Sequence, residues 1–288
     1  MVKLIDGKQL AEKIKDEIVK EIIKLNGGLT VAAKRPNLAI VLIGEREDSK
    51  LYVSLKEKEA KKVGIDTHLY ECPENISEGE VLDMIKCLNN DDAIDAILTQ
   101  LPLPTGFDTD KIIRAIDPKK DVDGFHPDNL AILFKTCDHG RVMPPIFEAI
   151  LEMLKSIKYE LKGKQVCVIS NSKIFGKALS RVLECRQAKA AAIRADDTDL
   201  KNKTSQADLL ITAVGKPKFI KKDMIKKGAV VIDIGITKKD GKVRGDVDFE
   251  DVKNKASFIT PVPGGVGPMT IAMALKNTLE LYKRRQNK

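Results

Sequence analysis

Short β-branched runs alternate with helix-period segments along almost the whole chain. Asp6 is placed to cap a helix carrying Leu10, Ile14, Ile18 and Ile22 on one face. Residues 37–43 read as a buried strand, 49–63 as a helix, 67–71 as a short strand, 78–88 as a helix and 93–100 as another strand. A loop-rich middle follows, and then the alternation restarts. Residues 144–157 read as helix, 165–169 as strand, 174–184 as helix and 188–193 as strand, with further strands at 208–214 and 229–234. Strands and helices alternating at this spacing predict an α/β fold whose parallel sheets are covered on both faces. No repeat of fixed period and no Gly/Ser linker interrupts it, so two α/β lobes joined by helices fit best. The last helix opens at Pro268, a residue suited to the first helical position. It carries Ile271, Leu275, Thr278, Leu279 and Tyr282 on one stripe, and is expected to return to the first lobe.

Composition narrows the class. The 288 residues are 43% hydrophobic and 32% charged, an ordinary globular balance. No apolar run approaches the roughly 18 residues that span a bilayer. The first residues lack the apolar core of a signal peptide, so the cytoplasm is the expected compartment, without membrane attachment. Five cysteines, odd in number and far apart (Cys72, Cys87, Cys137, Cys167, Cys185), argue against a disulfide framework. With three histidines (His68, His126, His139) at no ligand spacing, they also argue against a metal site. The formal charge is +8. The lysines are spread along the chain without aromatic interleaving, which fits a solvated surface or a field for a small polyanion better than a nucleic-acid interface.

Chemistry concentrates in a few places. Tyr52 and Lys56 stand four residues apart and project from one helix face, just after a strand end where open α/β sheets place ligands. A lysine beside a phenol, partly desolvated, can exchange protons near neutral pH. The same spacing also suits a solvated helix pair. The segment Asp121-Val-Asp123-Gly124 supplies two carboxylates and a turn glycine, for an Asx-type turn or for gripping N–H donors. Gln100 ends a strand and can reach a cleft or be satisfied locally. The segment 261–268 brings three glycines to a helix entrance, as a stiff connector or as a backbone that a ligand approaches closely. In the second lobe, strand 165–169 leads to Ser170-Asn171-Ser172 and on to Gly176. One glycine stands where a dinucleotide fingerprint has three.

Together these motifs resemble the bifunctional methylenetetrahydrofolate dehydrogenase/methenyltetrahydrofolate cyclohydrolase family, over nearly the whole chain. They run from Leu4-Ile-Asp-Gly7 through Ser49-x-x-Tyr52-x-x-x-Lys56, Gln100-Leu-Pro-Leu-Pro104 and Lys120-Asp-Val-Asp-Gly-Phe-His-Pro127. Gly228-Ala-Val-Val-Ile-Asp-Ile-Gly235, Gly245-Asp-Val-Asp-Phe249 and the block from Ile259 to Met273 complete them. The resemblance implies a catalytic domain over 1–140, joined by helix 266–288, and a Rossmann-like NAD(P)-binding domain over 141–265. It implies a folate cleft between the lobes and a homodimer. Lys56 would be the general acid/base of hydrolysis, with Gln100 tuning it. Tyr52 would pack over the folate and Asp123 would hold the pterin N–H groups. Ser49, Pro263, Gly264 and Gly265 would complete the substrate contacts. Ser170, Asn171, Ser172, Ile174, Gly176, Arg194, Asp196, Gly215, Ile236 and Thr270 would line the dinucleotide site. The implied reactions are oxidation of 5,10-methylenetetrahydrofolate with NAD or NADP and hydrolysis of the methenyl product to 10-formyltetrahydrofolate, without a metal.

The departures from the family pattern lie on the cofactor side. Gly-Arg-Ser becomes Ser170-Asn171-Ser172, Val-Gly-x-Pro becomes Phe175-Gly176-Lys177-Ala178, and Pro-Cys-Thr-Pro becomes Pro144-Pro145-Ile146-Phe147. Cys-His-Ser becomes Ile193-Arg194-Ala195, followed by Asp196 and Asp197. Without the arginine that would grip a 2′-phosphate, and with acidic residues after the second strand, NAD is expected over NADP, against which Arg194 is the counterweight. Two rivals stand beside the bifunctional enzyme. One is a cyclohydrolase whose dinucleotide site is degenerate. The other is a non-catalytic folate-binding paralogue, disfavoured by Tyr52, Lys56, Gln100 and Asp123 occurring together.

Overall fold

A computed structural model describes residues 2–27, 34–137, 142–239 and 242–286. His139 and the expected domain boundary at 140/141 lie outside the described residues. In chain order the elements are β1 (Lys3–Leu4), α1 (Gly7–Leu25), β2 (Asn37–Ile43), α2 (Glu47–Val63), β3 (Asp66–Cys72), α3 (Glu78–Asn90) and β4 (Ala96–Thr99). Next come α4 (Thr109–Ala115), α5 (Pro127–Thr136), α6 (Pro145–Ser156), β5 (Gln165–Ser170), α7 (Lys173–Glu184), β6 (Lys189–Ile193), α8 (Leu200–Ser205) and β7 (Leu209–Ala213). The chain ends with β8 (Val230–Asp233), β9 (Thr237–Lys239), β10 (Lys242–Arg244), α9 (Phe249–Val252), β11 (Phe258–Ile259) and α10 (Val266–Gln286). Among the described residues, no helix is long and apolar enough to cross a membrane.

The chain divides into two compact units. The first holds the described residues within Ala11–Ile132, His139–Pro145 and Ile271–Lys288, built on a parallel sheet of order β3-β2-β4. Its central strand β2 is buried from Leu38 to Ile43. Ala39, Val41 and Ile43 alternate onto one face and pack with Val81, Ile85 and Leu88 of α3 and Ile112 of α4. From Ile271 onward α10 returns to this unit, as its apolar stripe predicts. The Asn277 amide donates to the Val122 and Met143 carbonyls, both at 2.9 Å, and Arg285 pairs with Asp95 at 2.7 Å.

The second unit holds the described residues within Met1–Leu10, Leu133–Asp138 and Ile146–Thr270. Its six-stranded parallel sheet runs β1-β11-β8-β7-β5-β6, with β9 and β10 a separate antiparallel hairpin. After β1, the chain re-enters the sheet at β5, places β6 on one side, then crosses to lay β7 and β8 on the other. The strand order therefore reverses between β5 and β7, and the carboxyl ends there form the crevice where open α/β sheets bind ligands.

Most expected strands appear within two residues of their predicted bounds; the misses are short. The loop-rich middle contains two helices, α4 and α5. The first is seven residues long with Asp108 as its cap, and the second opens on Pro127 inside a run of turn-forming residues. Residues 93–95, expected in a strand, form the turn before β4, where the Asp91 carboxylate accepts the Ala93 amide at 2.7 Å. The two-residue strand β1 pairs with β11 in the second unit's sheet and is too short to show a period.

The cysteine expectation needs correction. Cys137 and Cys185 form a disulfide with a Cα–Cα distance of 5.6 Å, while Cys72, Cys87 and Cys167 are free thiols. The partners are 48 residues apart, so spacing carried no signal. They meet because the C-terminal ends of α5 and α7 lie together: the Arg181 guanidinium donates to the Phe134 carbonyl at 3.2 Å, and the Lys177 ammonium stands 5.5 Å from the Phe134 ring centre. Closing a loop of this length is expected to stabilise the fold by about 2–4 kcal/mol. Urea unfolding of the wild type with and without reductant, and of Cys185→Ser, should show that loss. Identical midpoints would mean that the bond contributes nothing.

Candidate active site

In the first unit the catalytic candidates converge around one ammonium. Tyr52 and Lys56 lie one turn apart on α2, which starts four residues after β2 ends. The Lys56 Nζ donates to Gln100 Oε1 at 2.7 Å. Gln100 is held from both sides: its amide N–H donates to the Val41 carbonyl at 2.8 Å, and its side-chain nitrogen donates to the Leu101 carbonyl at 2.6 Å. That second bond settles the amide's orientation and turns its oxygen toward the lysine. Burial lowers the Lys56 proton affinity, and the negative charge of Asp123 partly opposes the shift. Tyr52 is raised, by burial first and by Asp48 second, so its phenol stays neutral. The buried Ser49 hydroxyl has no hydrogen-bond partner among the described residues, which suits a group that meets a ligand.

The two carboxylates of the 121–124 turn divide the roles that the sequence left open. Asp121 is 2% exposed and holds the loop, accepting the Gly124 amide at 3.0 Å, the His126 amide at 2.8 Å and the Asn129 side chain at 3.0 Å. Gly124 has φ +66, and a methyl there would press against the Pro144 nitrogen. Asp123 is the carboxylate left over: among the described residues nothing donates a hydrogen bond to it. Burial pushes it up to about 6, against the pull of Lys56 and with a smaller push from Asp121. Lys56, Gln100 and Asp123 thus form one coupled polar cluster. The turn-holding role that the sequence left open for this segment falls to Asp121, while the contribution of Asn129 was not foreseen.

Pro263, Gly264 and Gly265 belong to the second unit. Pro263 follows a cis peptide bond, Gly264 has φ +101 with open space where a side chain would stand, and Gly265 packs tightly on the Pro261 carbonyl. Gly264 is therefore the position free to meet a ligand, while Gly265 is required by the fold itself.

The cofactor candidates gather at the switch point. Ser170 accepts the Ser172 amide at 3.1 Å, and Ser172 caps α7 by accepting the Phe175 amide at 3.3 Å. The Asn171 side chain reaches the Val214 carbonyl at 3.4 Å, linking the ends of β5 and β7. Gly176 lets α7 approach β6, for a methyl on it would lie 3.1 Å from the Ala192 Cβ. Gly215 follows β7 at φ +69, and Ile174 and Ile236 are exposed. Arg194 grips both Asp196 oxygens, at 3.0 and 3.2 Å, and its Nη1 lies 3.4 Å from the Asn171 carbonyl. Both oxygens of Asp197 accept from Lys203. Thr270 differs from the others, because its hydroxyl donates to Val266 within its own helix. The arrangement fits a dinucleotide: a capped twelve-residue helix, its glycine and the exposed apolar side chains all stand at the crevice.

One unit carries a lysine set up for proton transfer and the other a switch-point crevice, which defines an α/β enzyme of two functional parts. Two family models match the chain: the tetrahydrofolate dehydrogenase/cyclohydrolase catalytic domain over residues 5–123 and its NAD(P)-binding domain over 144–286. The chain is 48% identical over 283 residues to the bifunctional protein FolD of Sulfurihydrogenibium sp. (strain YO3AOP1), covering 98% of each. The structure of the bifunctional FolD enzyme from Campylobacter jejuni superimposes with a TM-score of 0.92 at 40% identity, covering 99% of this chain and 100% of that one. The Trypanosoma brucei dehydrogenase-cyclohydrolase, solved with NADP and an inhibitor, gives 0.94 at 32% identity, covering 100% and 99%. The chain belongs to the tetrahydrofolate dehydrogenase/cyclohydrolase family.

The cluster makes a signed prediction. Asp123 binds its proton more tightly in the folded state than in the unfolded one, so it subtracts stability as pH rises from about 4 through the folded value of about 6. Lys56→Met removes the charge that holds Asp123 down, so its titration should move above 6. Carboxyl-carbon NMR of both proteins reads this directly; an unchanged or lower value in the variant would contradict the coupling.

Proposed function

We propose that the protein oxidises 5,10-methylenetetrahydrofolate with a nicotinamide dinucleotide and hydrolyses the resulting methenyl cation to 10-formyltetrahydrofolate. The observation that carries the hydrolytic half is the Lys56–Gln100 contact, with the Lys56 ammonium desolvated and within the field of Asp123. Water adds to the methenyl carbon, forming a C–O bond; the C–N5 bond then breaks, N5 takes a proton, and one proton is released overall. Lys56, with its proton affinity lowered, exchanges the protons at the attacking oxygen and at N5, while Gln100 fixes the direction of the Nζ. Asp123, without a partner of its own, accepts the pterin amino and ring N–H donors. Tyr52 covers the flat ring system. Leu55 and Leu101, exposed apolar neighbours of Lys56 and Gln100 in the chain, offer it further surface.

For the oxidative half, the dinucleotide when bound accepts the hydride of the one-carbon bridge. Ser170, Asn171, Ser172, Ile174, Gly176, Arg194, Asp196, Gly215 and Ile236 would hold it, with Thr270 the weakest of the set because its hydroxyl is engaged within its own helix. The reading includes a homodimer in the cytoplasm. In support of the dimer, β6 is an edge strand with three central alanines, partly exposed and, among the described residues, paired with β5 alone.

NAD is the preferred coenzyme in this proposal. No arginine stands at Asn171, and the guanidinium of Arg194 is already held by two bonds to Asp196. A 2′-phosphate would have to displace that carboxylate. The paired state of Asp196 and Asp197 also weakens the charge repulsion inferred from sequence alone.

Two experiments test the proposal. Lys56→Met should keep folate binding while losing hydrolysis by roughly 10²–10⁴-fold; near-normal hydrolysis by the folded variant would remove Lys56 from the mechanism. Titrating NAD and NADP should show tighter NAD binding in the wild type, and Asp196→Ala should tighten NADP by about tenfold by freeing Arg194. Tighter NADP binding in the wild type, or no change in the variant, would reverse the coenzyme assignment.

A further inference from the structure

The turns that follow β7 and β8 carry Gly215 and Ile236, and both lead back to one pair of carboxylates. Asp246 is fully buried. Its Oδ2 accepts the Thr212 hydroxyl at 2.9 Å and the Val214 amide at 2.7 Å, and its Oδ1 accepts the Lys216 amide at 2.8 Å. Val214 and Lys216 flank Gly215. Asp233, the last residue of β8, is 3% exposed. It accepts the amides of Gly235 at 2.9 Å, Asp246 at 3.0 Å and Val247 at 2.9 Å. A methyl on Gly235 would overlap the Asp246 carboxylate, and one on Gly245 would overlap that of Asp233. The Thr237 hydroxyl closes the ring by donating to the Gly215 carbonyl at 3.2 Å.

Space filling alone does not ask for this arrangement. An apolar pair of similar volume would avoid the cost of desolvating two acids. A carboxylate adds something an alkyl group lacks, a fixed set of acceptor directions for several N–H groups at once. The groups it fixes here sit in two turns leaving the carboxyl ends of neighbouring strands, beside the switch point.

We propose that Asp246, backed by Asp233, is a positioning residue for the dehydrogenase half-reaction, holding turns 214–216 and 234–237 in the shape that receives the dinucleotide. The inference rests on the dinucleotide reading given above. Lys56, Tyr52, Gln100 and Asp123 lie in the other unit and, among the described residues, receive no hydrogen bond from either turn, so hydrolysis is a separate readout.

Asp246→Asn tests it. A carboxamide has one acceptor oxygen, and its NH₂ group would face N–H donors, so at least one turn bond is lost. The KM for NAD and for NADP should rise about tenfold, with dehydrogenase kcat and the hydrolysis of methenyltetrahydrofolate each within about twofold of wild type. Thr237→Val removes only the partly exposed hydroxyl and keeps a β-branched residue in β9. It should raise the same KM by about threefold, and it decides the question if Asp246→Asn does not fold. Unchanged dinucleotide KM in the folded variants overturns the proposal, as does an equal loss of both activities, which would mark a purely structural role. A wild-type protein that neither binds nor reduces NAD or NADP would instead end the dinucleotide reading on which the inference stands.

Discussion

Three buried carboxylates each accept three hydrogen bonds from the turns that shape the candidate sites. Asp121 takes two amides and the Asn129 side chain, Asp233 takes three amides, and Asp246 takes two amides and the Thr212 hydroxyl. A parallel sheet delivers its loops to one edge, but nothing in the ladder of strand bonds dictates how those loops fold back. Here that information comes from acids aimed inward. The constraint is steep, because a buried carboxylate that loses one of its donors keeps its desolvation cost with less to offset it. Asp233 shows how finely it is balanced: burial pushes it up to about 7 even though three amides point at it.

Asp123 illustrates the opposite use of the same residue type. It lies two positions from Asp121, yet no group of the described chain donates to it, and its neighbour Lys56 is itself short of solvation. Each of the two charges makes the other's burial tolerable. A structural pair would close that gap with a direct bond, as Lys15 does with Glu59. Lys56 instead points its ammonium at a neutral amide oxygen, which leaves the carboxylate's lone pairs open. An unsatisfied acid held beside a lysine of lowered proton affinity is poor design for stability and good design for binding an N–H-rich ring next to a proton-transfer group.

The sequence carried the strands almost entirely, because buried parallel strands read as unbroken apolar runs, as 37–43 does. It carried Lys56, Tyr52, Gln100 and Asp123 only through their order and spacing within a family pattern; each alone suited an ordinary surface or turn. What it did not carry depends on distance in space. The Cys137–Cys185 bond joins the ends of two helices, one of which was itself missed. The Asp233–Asp246 ring joins segments thirteen residues apart through the Asp246 amide and thirty-four apart through the Thr212 hydroxyl. The pairing of Arg194 with Asp196 could be drawn from sequence as proximity, but not as a guanidinium already engaged by two bonds.

The dinucleotide side raises a further physical point. Its glycine fingerprint is reduced to Gly176, yet the crevice is complete, since the crevice is made by strand order rather than by glycines. Reversal of the strand order between β5 and β7 opens the space, and α7 with its Ser172 cap brings a helix N-terminus to it. The one glycine that remains is the one where helix meets strand, where a side chain would force α7 off β6. The turn at 170–172 is held by hydroxyls instead: Ser170 and Ser172 each accept a backbone amide. A serine-braced turn leaves fewer amides free for a pyrophosphate than a glycine-rich one. On the proposed dinucleotide reading, more of the coenzyme's affinity then comes from the turns after β7 and β8, so the rigidity of those turns matters more here than in a chain with the full fingerprint.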